Sequence, residues 1–260
     1  MTGVPGSRAP GHVVALTVMG ENHFSDVITA VAPAPGWWLV ALTGLFAVLV
    51  TAFSIVGPVT GRRHVLVNLN VLGTVVHEAG HALVACLTGG GVYRFRITSP
   101  DSGSVDSWYF TRFSSVTTSL AGYAMPPLAG LGAAALLAKG QAAAVLTVTA
   151  AMSILILWVA RDLLTLACIV AIGGIAAAAL YWAPAWLQVL VAYLEAWLLL
   201  FSELGGLAAL IANRVRYVQR DADDADNLAD DTSIPGVLWI AAWLALILWA
   251  LWTAFPLLWP

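Results

Sequence analysis

Two histidines and a glutamate stand within five residues of one another, as His77-Glu78-Ala79-Gly80-His81. This is an HExxH pattern set in an apolar run. Residues four apart lie on one helical face, so His77 and His81 can present two imidazoles to one cation. Zinc takes such nitrogens with a third protein ligand and keeps a position open for water. Glu78, one residue on from the first imidazole, can reach that water from the side and act as general base. Zinc lowers the pKa of water toward neutrality, which readies it for attack on a carbonyl. Three polar groups this close together are costly on an apolar helix unless they face partners, which favours a metal site over packing histidines. Asn70 and Thr74 extend the same stripe at helical spacing. They can hydrogen-bond the imidazoles from outside, or equally join helices. Gly73 and Gly80 allow a neighbouring helix to approach closely.

The run Val76-His77-Glu78-Ala79-Gly80-His81-Ala82-Leu83, followed by Thr88-Gly89-Gly90, resembles the site-2 protease group, peptidase family M50. It is most similar to the small bacterial M50B-like branch. Ala121-Gly122-Tyr123 matches as well, as do Asp224-Ala225, Leu228-Ala229, Thr232, Pro235 and Trp239 before the last apolar run. The resemblance implies an intramembrane metallopeptidase with Zn2+ on His77 and His81 and with Glu78 as base. Its substrates would be single-span membrane proteins or leftover signal segments, cut within the bilayer. It also implies that a hairpin after the motif guides an unwound substrate strand by strand addition. The group takes its third zinc ligand from an Asp in an Asn-Pro…Asp-Gly type motif on a later helix, and no such motif stands here. Asp162 is the first candidate to replace it, at the expected division between two spans. Glu203 fits better on depth within its span, and Glu195 is a third option. Without any of them the chain would be a catalytically degenerate membrane scaffold or regulatory protein.

The elements that must position these groups are membrane helices. Sixty per cent of the 260 residues are hydrophobic and only 10% charged, against about 25% charged in soluble domains. A spanning helix needs roughly 20 apolar residues. On that basis the expected fold is an all-α integral membrane bundle of about seven transmembrane helices with a short cytoplasmic β-hairpin. The spans fall at residues 36–56, 65–87, 118–138, 186–212 and 237–258, with two more sharing the long run 142–182 and dividing near Arg161 and Asp162. Met125-Pro126-Pro127 would bend the third span and free backbone acceptors near the cavity. The many tryptophans near span ends read as interfacial anchors.

Residues 1–35 read as a flexible exposed tail and 36–260 as the membrane-embedded peptidase domain. In the loop 91–112, Tyr93, Phe95 and Ile97 alternate with Arg94 and Arg96 before the turn-like Asp101-Ser102-Gly103, which predicts the hairpin. The acidic loop 214–235 reads as a solvated linker, since like charges in a block repel one another. His12, His23 and His64 read as solvated. Cys86 and Cys168 are too few and too apolar in setting for a disulfide framework. The scattered basic residues form no stripe for nucleic acid. With seven spans, Arg8, Arg94, Arg96, Arg112, Arg161, Arg214, Arg216 and Arg220 collect on one side and Arg62, Arg63 and Lys139 on the other, which favours a cytoplasmic N-terminus. The expected location is the plasma membrane of a bacterium, the composition being rich in Ala, Gly and Val. Glu195 and Glu203 also admit a proton-coupled transporter, but no pair of broken helices divides the chain into halves.

Overall fold

The structure, a computed structural model, describes residues 31–32, 34–60, 65–216 and 222–259. The tail therefore lies largely outside the described residues, as do His12, His23, His64, Arg62, Arg63 and Arg220. Eight helices and one hairpin follow in order among the described residues: α1 (Trp37–Thr60), α2 (Val71–Leu87), β1 (Gly91–Ser99), β2 (Ser102–Trp108), α3 (Arg112–Leu137), α4 (Ala142–Leu157), α5 (Leu163–Trp182), α6 (Ala185–Arg216), α7 (Asp224–Thr232) and α8 (Gly236–Leu258). A 3-10 segment, Val65–Asn70, leads into α2.

Each of the seven apolar segments forms a helix, but they are not equally long. Five helices, α1, α3, α5, α6 and α8, are long and apolar enough to cross a membrane. The other two, α2 with 17 residues and α4 with 16, are shorter. Length and composition therefore give five spans rather than the expected seven. The shortening has local causes. The run before the HExxH motif winds as 3-10 rather than α, and α4 stops at Leu157, well before the next helix begins at Leu163.

That second break explains Asp162. Its carboxylate accepts from the backbone N–H of Thr165 at 3.0 Å and from the Thr165 hydroxyl at 2.7 Å, which caps the start of α5. These two donors hold its carboxyl below the usual range. The Thr165 hydroxyl in turn accepts from the backbone N–H of Ile97, tying the hairpin to α5. Replacing Asp162 with alanine is expected to cost about 1 kcal/mol of stability, the usual worth of an N-cap. It should leave metal content unchanged, which thermal melting with metal analysis would check.

The hairpin folds largely as its alternation demands. Phe95 and Ile97 are fully buried against Val75, Ile156 and Ile169. Tyr93 breaks the pattern and stands exposed, because a register shift between Val92 and Arg94 gives β1 an extra residue there. The turn falls at Pro100 and Asp101, slightly earlier than the sequence suggests. Asn70 and Thr74 both reach this turn. Asn70 Nδ2 donates to Asp101 Oδ1 at 3.0 Å, and the Thr74 hydroxyl to the Pro100 carbonyl at 2.6 Å. Their stripe thus seats the hairpin on α2, and neither bonds to an imidazole.

The bundle packs α2 against α3, α3 against α6 and α8, and α1 against α6. Gly80 lies against Met125 and Ala121 of α3, and Gly73 against Ser202 of α6, as small residues at helix crossings should. Outward faces carry Leu42, Leu45, Val170, Ile175, Leu248 and Trp252 exposed, a surface suited to lipid and ill suited to water. Trp37, Trp38, Trp182 and Trp186 are exposed at helix ends, where anchors belong. Trp197 and Trp243 are not anchors, since both are buried inside the bundle. Pro126 and Pro127 are contained in a continuous α3. Lacking N–H groups, they leave the carbonyls of Gly122 and Tyr123 without the usual helical donor.

The acidic loop is not a solvated linker throughout. Residues 224–232 form α7, and Asp223 caps it by accepting from the backbone of Ala225 and Asp226. Asp226 returns a bond to the backbone of Asp223, completing a reciprocal capping box. Ala225 and Leu228 are fully buried beneath this helix, so an apolar face offsets the crowding of like charges on the other.

Candidate metal centre

The α-helical spacing of α2 puts His77 and His81 side by side, with ring centroids 5.0 Å apart. Both Nε2 atoms face one oxygen, Asp224 Oδ2, at 3.5 Å from His77 and 3.3 Å from His81. One ligand atom from each of His77, His81 and Asp224 lies within 4.8 Å of the others. Two imidazole nitrogens and a carboxylate oxygen are a donor set that zinc accepts. Burial alone would raise the Asp224 carboxyl. The facing His81 and His77 outweigh that and hold it well below the ordinary carboxylate range.

The far side of each ring is also occupied. His81 Nδ1 stands 2.7 Å from the carbonyl of Thr118. A carbonyl only accepts, so Nδ1 carries a proton, and Nε2 is the nitrogen that a cation would bind on displacing any proton shared with Asp224. His77 Nδ1 lies 3.3 Å from Glu203 Oε2, where the carboxylate accepts in the same way. A carboxylate or carbonyl behind each ring is the arrangement that fixes the tautomer of a metal-binding histidine. Tyr123 braces His77 further, its ring edge-on at 4.6 Å. Trp243 backs Tyr123 at 4.6 Å and donates its Nε1–H to the Leu120 carbonyl.

Gly122 shows how tightly this space is shaped. A Cβ built there would stand 2.4 Å from His81 Nε2 and 2.6 Å from His77 Nε2. The backbone of α3 therefore walls the point where the two nitrogens converge, and any side chain would fill it. Gly122→Ala is expected to abolish stoichiometric metal binding. Its overpacking cost of about 1–3 kcal/mol should still leave a folded bundle. Metal analysis beside a melting curve would separate the two effects.

Glu78 is buried and points to the hairpin side. A Cβ at Gly103 of β2 would come within 2.7 Å of Glu78 Cγ and 2.8 Å of its Oε1. The hairpin strand thus runs directly over the carboxylate.

Of the expected set, the structure brings together His77, His81 and Glu78 on α2. The converging carboxylate is Asp224 on α7. Asp162 is engaged with Thr165 at the start of α5. Glu203 is at the site, as its depth suggested, but behind His77 rather than in front of it. Glu195 is bonded to the Thr149 hydroxyl on α4. One signal for Asp224 was present in the sequence: an Asp223-x-x-Asp226 pair preceding Leu228 reads as a capping box, hence as a folded helix.

No curated protein and no solved structure matches the chain. The family model described as Peptidase M50B-like matches residues 38–254, which takes in every helix of the bundle in whole or large part, and with them the HExxH motif and Asp224. The chain therefore belongs to the M50B-like family of membrane metallopeptidases.

Proposed function

We propose that this protein is an intramembrane zinc metallopeptidase that hydrolyses peptide bonds of membrane-protein substrates. The observation that carries the reading is the convergence of His77 Nε2, His81 Nε2 and Asp224 Oδ2 beside the buried Glu78. His77, His81 and Asp224 would hold Zn2+, which supplies Lewis acidity and a lowered pKa for water. Glu78 accepts the proton of the attacking water and returns it to the leaving amine. Glu203 and the Thr118 carbonyl keep the two rings in the required tautomer. The backbone of α3 walls the two imidazoles and the hairpin strand covers Glu78.

The substrates that fit are single-span membrane proteins or signal segments, presented as unwound strand. A helical substrate hides its peptide bonds, whereas a strand added to a sheet edge exposes them. One edge of β1 already bonds to Val159 and Thr165 through the backbone N–H groups of Phe95 and Ile97. Among the described residues β2 has no second strand partner, and it passes over Glu78 at Gly103. The edge of β2 is therefore the proposed place of strand addition. The proposed setting is a bacterial plasma membrane; the arginine bias toward a cytoplasmic N-terminus belongs to the seven-span count, and with five spans the basic residues divide six against five.

The test is cleavage of a single-span reporter by purified protein in lipid nanodiscs. Cleavage that is lost on chelation and restored by Zn2+ is expected. Cleavage indifferent to chelation contradicts the reading. A protein that neither cuts nor binds metal would be the degenerate scaffold instead.

A further inference from the structure

We infer that Arg214 is a positioning residue for the metal centre: its guanidinium holds α7 against the bundle so that Asp224 meets the two imidazoles. The inference rests on the metallopeptidase reading above. His77 and His81 sit on a helix packed on both sides, but Asp224 is the first residue of a nine-residue helix outside the candidate spans. Something must fix that helix to the accuracy a ligand needs.

Arg214, in the last turn of α6, does so from beneath. Its Nε donates to Asp223 Oδ2 at 2.9 Å, and its Nη2 to the other Asp223 oxygen and to Asp226 Oδ1 at 2.7 Å. These two aspartates are the same pair that forms the capping box of α7. One guanidinium thus grips both carboxylates that define the start of the helix, on either side of Asp224. The fork is enclosed by the start of α8. A Cβ on Gly236 would stand 3.2 Å from Arg214 Nη1 and 2.9 Å from the Ala225 carbonyl. At the far end of α7 the Ser115 hydroxyl of α3 bonds Asp231 at 2.5 Å.

The charge balance points the same way. Asp223, Asp224 and Asp226 crowd one helix start, near Glu203 and Glu78, and like charges in such a block repel. Arg214 offsets the two flanking carboxylates, which leaves Asp224 to face the histidines. A lysine cannot replace it, because an ammonium lacks the planar fork that engages two carboxylates at fixed geometry.

The experiment is Co2+ titration of the purified full chain in nanodiscs, read by visible absorption, for the wild type, Arg214→Ala, Arg214→Lys and His81→Ala. Arg214→Ala should weaken Co2+ affinity by about 10–100-fold, the usual effect of removing support behind a ligand. It should also change the shape of the absorption band, because the third ligand is misplaced, while the metal-free protein keeps its far-ultraviolet circular dichroism. Arg214→Lys should restore little. Wild-type affinity and spectrum in Arg214→Ala would overturn the inference. Should that variant fail to fold, Asp226→Asn carries the test, since at constant size it removes the charge that Arg214 grips and leaves one oxygen where two accept, from Arg214 and from the Asp223 backbone. A several-fold loss of affinity supports the inference, and none overturns it. If His81→Ala binds Co2+ as the wild type does, the metal-centre reading itself has failed, a different result from either.

Discussion

Asp224→Ala is expected to remove bound zinc from the purified protein and with it all proteolysis. The reason is geometric. Asp224 Oδ2 is the oxygen that both Nε2 atoms face, at 3.5 and 3.3 Å. Loss of an outer hydrogen-bond partner costs roughly 10–100-fold in metal affinity, and loss of a ligand itself must cost more. Among the described residues no other carboxylate joins the two imidazoles in that cluster. Asp162→Ala is the internal contrast, since that carboxylate is spent on Thr165. Equilibrium dialysis against zinc for both variants separates the two assignments. Metal retained in Asp224→Ala and lost in Asp162→Ala would reverse them.

The second large effect is expected at Glu78. Glu78→Gln should lower the rate of peptide hydrolysis on the order of 10²–10⁴-fold, the range attributed to a positioned acid–base group. Zinc content should not change, because Glu78 is not part of the converging His77, His81 and Asp224 set. The amide matches the carboxylate in size, so the contact with Gly103 and the seat of the hairpin should survive. Single-turnover cleavage of a single-span reporter, alongside metal analysis, reads both quantities at once. A Glu78→Gln variant that loses its zinc would indicate a ligand role, and one that still cleaves normally would remove Glu78 from the chemistry.

Much of this site was legible in the chain because its signals are local. An i, i+4 histidine pair on an apolar helix declares its face without tertiary information. The apolar runs likewise located every long helix. The alternation at Phe95 and Ile97 gave the hairpin, though no pattern announced the extra residue that turns Tyr93 outward. What the sequence hid was long-range. Asp224 lies far along the chain, in an acidic stretch whose simplest reading is a solvated loop. Its position depends on buried Ala225 and Leu228 and on the Arg214 grip, which only tertiary packing supplies. Glu203 shows the same limit from the other direction. Depth in a span placed it near the histidines, but depth says nothing about which ring nitrogen it meets. Asn70 and Thr74 occupy the predicted stripe, yet their partners sit on the hairpin turn, which no helical periodicity could reveal.

The metal centre itself is tested most directly by zinc K-edge X-ray absorption on the purified protein. One zinc per chain is expected, with two imidazoles and carboxylate or water oxygens at about 2.0–2.2 Å and no sulfur. A spectrum without imidazole scattering, a sulfur shell drawn from Cys86 or Cys168, or zinc far below one per chain would contradict it.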